Sequence, residues 1–162
     1  MERSIEILMR RPAGQVESWC GSFRHRCRER GIRVTPQRLA VYRTLAADLS
    51  HPSADTVYGR LRPDLPTLSL ATVYRILESF EREGLVRRVS TSDGAGRFDA
   101  NVRPHQHLVC RVCKGVSDFD APSLARVGIP QAVTPEFTAE EIDIRIVGIC
   151  RSCGETENRE PL

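Results

Sequence analysis

No apolar run in this chain approaches the ~20 residues that a membrane span requires. The opening stretch, MERSIEILMRR, also lacks the apolar centre of a secretion signal, so a cytoplasmic location without a membrane partner is expected. There is no internal repeat that would indicate a solenoid. Net charge is small as well: 24 Lys and Arg against 21 Asp and Glu leave a formal +3, too little by itself to indicate a nucleic-acid partner.

The distribution of charge is more informative than its sum. Residues 1–90 carry 16 basic and 10 acidic side chains, whereas 91–162 carry 8 and 11, so the first half is the candidate DNA-facing half. Six cysteines are present, and four form two C-x-x-C pairs. In a reducing compartment such pairs fit metal better than disulfides. At 162 residues, two small domains are a natural division.

Punctuation marks the elements. Residues 16–30 have helical character up to Gly31, and Thr35-Pro36 supply an N-cap and a first helical residue for a second helix running to about Asp48. Its apolar face is Leu39, Val41, Tyr42 and Leu45. Ser53 suits the cap of a third helix with Ala54, Val57, Tyr58 and Leu61 inward, ended by Arg62-Pro63-Asp64. A fourth, 69–83, buries Leu70, Val73, Leu77 and Phe80 and turns Thr72, Arg75, Ser79 and Arg82 elsewhere, until Gly84 closes it. Two extended runs, 85–90 and 97–99, flank a turn-rich stretch and predict a hairpin. Helices followed by a two-stranded wing describe a winged helix-turn-helix with 69–83 as recognition helix.

Beyond the wing, short apolar runs at 107–110 and 115–119, a short helix near 123–127 and a strand over 141–149 predict an α/β unit, so the fold class is α+β. The expected organisation is an extension over 1–18, a DNA-binding domain over 19–92, a hinge over 93–101, a dimerisation and zinc domain over 102–154, and a loose tail over 155–162.

Cys110, Cys113, Cys150 and Cys153 place four thiolates on two knuckles, a tetrahedral S4 set for which Zn(II) is the default ion. With every position filled by protein sulfur, such an ion is structural. Cys20 and Cys27 lie seven apart on one helical face and read as ordinary packed or exposed thiols. His105 and His107, two apart on an extended segment, share a face, and Asp99 and Asp118 flank them. This mixed N/O set suits Fe(II), Mn(II) or Zn(II). Spacing alone leaves solvated side chains beside a zinc knuckle as an equal reading, and His51, taken singly, reads as a capping or surface residue.

The ordered motifs RVTPQR (33–38), HPSAD (51–55), SLATVYR (69–75), GLV from Gly84, and HQHLVCRVC (105–113) resemble the ferric uptake regulator family over about residues 20–154. The resemblance implies a bacterial homodimer with an N-terminal winged helix, a hinge and a C-terminal dimerisation domain. It implies structural zinc at the four cysteines and a regulatory Fe(II) or Mn(II) site at His51, Asp99, His105, His107 and Asp118. These five match the ligands of the peroxide-sensing branch. Asp99 after Arg97-Phe98, and Asp118, stand where iron-uptake members often carry Glu, and both favour that branch. A further site, with a His before the last strand, is expected to be absent because Glu140-Glu141 occupies the region.

The function so implied is a metal-dependent repressor of palindromic operator DNA, whose only small-molecule reactant is peroxide, through iron-catalysed oxidation of His51 or His105. On the DNA, Tyr74 and Arg75 are candidate base readers, Ser69 and Thr72 candidate phosphate contacts, and Arg33 matches a basic family position that reaches the minor groove. Arg75 on a merely solvated helix face stays an alternative. Two other functions compete. One is an iron, zinc, nickel or manganese uptake regulator without oxidation chemistry; the other is a non-haem iron enzyme, since two His and a carboxylate also build oxygenases.

Overall fold

A computed structural model of the chain describes residues 10–89, 96–103, 105–119, 121, 124, 137–138, 142 and 144–157. It divides into two compact units, Met1–Val102 and Arg103–Leu162.

The first unit contains α1 (Ala13–Glu29), α2 (Pro36–Ala47), α3 (Ala54–Leu61), α4 (Leu70–Arg82), β1 (Arg87–Val89) and β2 (Arg97–Asp99). Side-chain oxygens cap three of the helices: Thr35 accepts from Arg38 N–H, Ser53 from Thr56 N–H and Ser69 from Thr72 N–H. Each cap satisfies an N–H that the helix cannot pair internally, worth about 1 kcal/mol. Gly84, at φ 61°, ends α4 in the left-handed region that other residues enter at a cost. The chain then turns so that Leu85 N–H donates to Phe80 O at 2.8 Å.

The amphipathic faces converge on one core. Val16, Cys20, Phe23 and Cys27 from α1 meet Val41, Tyr42 and Leu45 from α2 and Val73, Leu77 and Phe80 from α4. Phe23 stacks on Tyr42 with centroids 4.0 Å apart and meets Phe80 edge-on at 5.1 Å. In the two-stranded sheet β1 and β2 run antiparallel, with Arg87 opposite Asp99 and Val89 opposite Arg97. Helices with this paired wing form the winged helix-turn-helix; the wing's expected turn at 91–95 lies outside the described residues.

The second unit carries β3 (Gln106–Cys110), β4 (Val116–Phe119), β5 (Arg145–Gly148) and α5 (Arg151–Glu157). Strand order is β4-β3-β5, with β3 antiparallel to β4 and parallel to β5. Val109, Cys110 and Val116 are buried, while all four residues of β5 are exposed. The helix expected near 123–127 lies outside the described residues apart from Leu124, as does Glu140-Glu141. The chain after Cys153 differs from expectation: a loose tail was anticipated from 155, yet α5 extends through Glu157. The helix grows out of the second cysteine knuckle, where Gly154 N–H donates to Cys150 O at 2.9 Å.

Candidate metal centres and DNA-reading surface

In the second unit, β3 ends on Cys110 and a tight turn returns the chain to β4. Cys110 N–H donates to Gly115 O at 2.9 Å and Lys114 N–H to Cys110 O at 3.0 Å, with Lys114 itself at φ 58°. The parallel pairing of β5 with β3 brings Cys150 alongside, where its N–H donates to Cys110 Sγ at 3.3 Å. The four sulfurs of Cys110, Cys113, Cys150 and Cys153 all lie within 4.8 Å of one another. Tetrahedral zinc with Zn–S near 2.3 Å needs sulfurs roughly 3.8 Å apart. Cys113 Sγ and Cys150 Sγ are 3.8 Å apart.

The electrostatics of the cluster also call for a cation. Backbone N–H groups of Cys150 and Cys113 pull the Cys110 thiol down to about 6. The hydrogen bond with Cys150, then burial, push Cys153 up to about 12. Four clustered thiolates repel one another until a positive ion compensates them, and the donor set fits zinc. Sequence reasoning did not single out Ser152, whose Oγ lies 3.2 Å from Cys150 Sγ.

The same unit holds a second group. His107 lies on β3 directly opposite Asp118 on β4 in the strand register. His105 Nε2 is 3.2 Å and His107 Nε2 is 4.0 Å from Asp118 Oδ1. The imidazoles meet edge-on with centroids 4.5 Å apart. His105 Nδ1 lies 2.7 Å from Arg103 O, a partner that only accepts, and its other ring nitrogen, Nε2, is the one beside Asp118. A metal-ligating histidine commonly gives its other ring N–H to such a carbonyl, which would leave Nε2 as the ligand.

In the first unit, His51 and Asp99 are both buried, and His51 Nε2 is 3.6 Å from Asp99 Oδ2. Asp99 is oriented by Asn101 N–H, which donates to its Oδ1 at 2.7 Å. His51 has φ 53°, a left-handed conformation that costs a non-glycine residue about 1–3 kcal/mol. Several contacts hold it there: Arg97 Nη1 donates to His51 O at 3.3 Å, Phe98 N–H donates to Pro52 O at 3.1 Å, and Ser53 bridges Arg97. The strand that presents Asp99 thus also pins the loop that presents His51. Arg97 escaped the sequence reading because its role depends on a contact 46 residues away.

Each half is a carboxylate with one or two imidazoles, a donor set suited to Fe(II), Mn(II) or Zn(II). His51 with Asp99 offers two ligating side chains, fewer than such an ion takes; His105, His107 and Asp118 offer three.

Tyr74 and Arg75 are exposed on α4, as sequence reasoning requires of base readers, and Arg33 is exposed ahead of α2. Ser69 and Thr72 sit at the start of α4, but Ser69 Oγ already accepts from Thr72 N–H at 3.1 Å and lies 2.8 Å from Thr72 Oγ1. Their first task is capping the reading helix. Cys20 and Cys27 are fully buried in the α1 core, and burial raises both thiols, which makes them inert packing groups.

The ferric uptake regulator family model matches residues 29–147. The peroxide-responsive repressor of Staphylococcus epidermidis is 39% identical over 132 residues, which cover 81% of this chain and 87% of that protein. A solved zinc uptake regulator complexed with zinc and DNA has a TM-score of 0.68 at 25% identity, covering 88% of this chain and 97% of that one. The ferric uptake regulator of Pseudomonas aeruginosa, solved with manganese, has a TM-score of 0.60 at 27% identity, covering 77% and 95%.

Proposed function

Because this chain belongs to the ferric uptake regulator family, we propose that it is a homodimeric, metal-dependent repressor that releases operator DNA when peroxide oxidises a regulatory histidine. Family membership makes it a transcriptional regulator and not an enzyme. One observation carries the reading: each unit presents its own carboxylate and imidazole set, His51 with Asp99 in one and His105, His107 and Asp118 in the other.

Neither set is a full coordination sphere for Fe(II) or Mn(II). In the proposed mechanism His51, Asp99, His105, His107 and Asp118 would together hold one such ion, and holding it would restrict the DNA-binding unit. The paired units of a dimer must place two recognition helices about one helical turn, ~34 Å, apart to meet the half-sites of a palindrome. Restricting the reading heads to that spacing raises operator affinity by the ion's preference for the competent state, about 1.4 kcal/mol for each tenfold.

Bound Fe(II) supplies the chemistry that reduces hydrogen peroxide to water while one oxygen atom replaces a ring C–H hydrogen on a ligating imidazole. His51 and His105 are the assigned targets. An oxidised ring has lost donor strength at nitrogen, and a donor set of five falls to four. His51 is the more consequential of the two because the first unit contributes only it and Asp99.

Structural zinc at the four cysteines stabilises the second unit, which supplies the dimer surface. Leu108, Ile146 and Val147 are exposed apolar residues on β3 and β5, as expected of a strand that is covered in the assembled state. The S. epidermidis relative supports the peroxide reading. Solved relatives with zinc and with manganese support a second one, a metal-uptake regulator that uses the same clamp without oxidation.

Mass spectrometry of the iron-loaded dimer after peroxide separates them. One added oxygen on His51 or His105, with loss of operator binding in the iron form and not in the manganese form, is the expected result. Unmodified histidines after peroxide treatment exclude the oxidation mechanism and leave metal sensing.

A further inference from the structure

The hydroxyl of Tyr74 is already engaged. Tyr74 Oη donates to Asp55 Oδ2 at 2.9 Å. Asp55 lies in the first turn of α3, the helix that precedes the reading helix, and its side chain is exposed. The contact spans the two helices of the helix-turn-helix. Asp55 is fixed in turn by its backbone, since Ser53 caps α3 from two residues earlier by accepting from Thr56 N–H at 3.2 Å. Tyr74 is 40% exposed, so its ring remains available on the outer face of α4.

A phenol whose proton is held by a carboxylate has only lone pairs left to offer, and a carboxylate has only acceptors. Together they can accept from the amino groups of adenine or cytosine in the major groove, and the ring can pack against a thymine methyl. They have no donor for O6 and N7 of guanine. We infer that Asp55 is a specificity-determining residue, which holds the Tyr74 hydroxyl proton and so makes this part of the reading surface acceptor-only, selecting against guanine as the base that Tyr74 faces.

The carboxylate has a second effect. It places a negative charge on the proposed reading face, which would lower affinity for every DNA sequence alike. The hydrogen bond to Asp55 also raises the Tyr74 phenol above its ordinary value, so the hydroxyl stays protonated and remains the donor at neutral pH. The inference rests on Tyr74 being a base reader, as assigned above.

The test is selection from a random-sequence DNA library by the zinc- and manganese-loaded dimer, followed by sequencing, for the wild type, Asp55→Ala, Asp55→Asn, Tyr74→Ala and the double variant Asp55→Ala with Tyr74→Phe. Asp55→Ala frees the hydroxyl to donate, and guanine at one symmetric pair of positions should rise about fivefold, the worth of one hydrogen bond. Adding Tyr74→Phe should abolish that gain. Asp55→Asn keeps an acceptor for the phenol but exchanges the charge for an amide N–H2 donor, so binding to mixed-sequence DNA should tighten and guanine should rise as the acceptor-only surface is lost. If Asp55→Ala weakens binding evenly with no change at any position while Tyr74→Ala alters one, Asp55 is only structural and the inference is wrong. If Tyr74→Ala leaves every position unchanged, the assignment of Tyr74 as a reader is what fails.

Discussion

In Met1–Val102 the stabilising apolar surface is internal, whereas in Arg103–Leu162 much of the apolar surface among the described residues faces outward. The first unit gathers Phe23, Tyr42, Leu45, Leu77, Phe80 and Phe98 into one core in which each is almost fully buried. The second buries Val109, Cys110 and Val116 but leaves Leu108, Ile142, Ile146, Val147 and Ile149 exposed. A winged helix of this kind can meet its conformational entropy from hydrophobic burial. On the proposed reading the sheet unit draws on two further sources, a metal on its cysteines and a second copy over its apolar strand. Folding, dimerisation and metal supply should therefore be coupled in one unit and independent in the other.

The largest expected effect tests that asymmetry directly. Stripping zinc with a chelator, or replacing Cys113 with Ser, removes metal-derived folding free energy on the order of 10 kcal/mol. Calorimetry should then show the sheet transition lost and the winged-helix transition retained; simultaneous loss of both transitions would contradict separate stabilisation. Next in size is Phe23→Ala, which opens the aromatic cluster on Tyr42 and Phe80 and should cost about 3–5 kcal/mol. Here zinc content and dimer mass should be unchanged while the winged helix melts earlier.

A charge on the exposed strand sharpens the comparison further. Val147→Asp, at a residue 62% exposed in the single chain, should leave zinc binding intact and shift the protein to monomer in light scattering. An unaltered dimer mass removes β5 from the interface. The smallest effect concerns Asp48. Burial pushes its carboxyl up, but the Ser50 hydroxyl and N–H and the Arg60 guanidinium outweigh burial and hold it below 3.8. A depressed carboxyl contributes stability that is full above the unfolded value and lost as pH falls through the folded one. Asp48→Asn should accordingly cost about 1–2 kcal/mol at pH 7, with the difference closing below about pH 4 in denaturant titrations.

What could be read from the amino acids follows the range of the interactions involved. Thr35, Ser53 and Ser69 announce helix starts because a cap acts on an N–H three residues away. The stripe of α4 is similarly local: Val73, Leu77 and Phe80 are buried as anticipated, whereas Leu70 is only half-buried and Ile76 is buried in addition. The two C-x-x-C pairs identify a metal site because knuckle spacing is itself the geometry. Four features were not legible. Arg97 gripping His51 O and Tyr74 gripping Asp55 depend on tertiary proximity that no local pattern encodes. Helix α5, with sequence RSCGETE, contains Ser, Cys, Gly and Thr, all weak helix formers, and forms from the knuckle rather than from propensity. The positive φ of His51 was equally hidden, since histidine's enrichment among left-handed residues is too slight to mark any one position.

The proposed coupling of the two units through a shared ion stands or falls on operator binding by a protein deprived of its first-unit ligands. Fluorescence anisotropy with operator DNA, titrated with Mn(II), should show the wild type tightening tenfold or more, about 1.4 kcal/mol per decade, while a zinc-replete His51→Ala, Asp99→Ala dimer stays at its metal-free affinity. Equal tightening of that variant by Mn(II) would mean the ion acts without the DNA-binding unit.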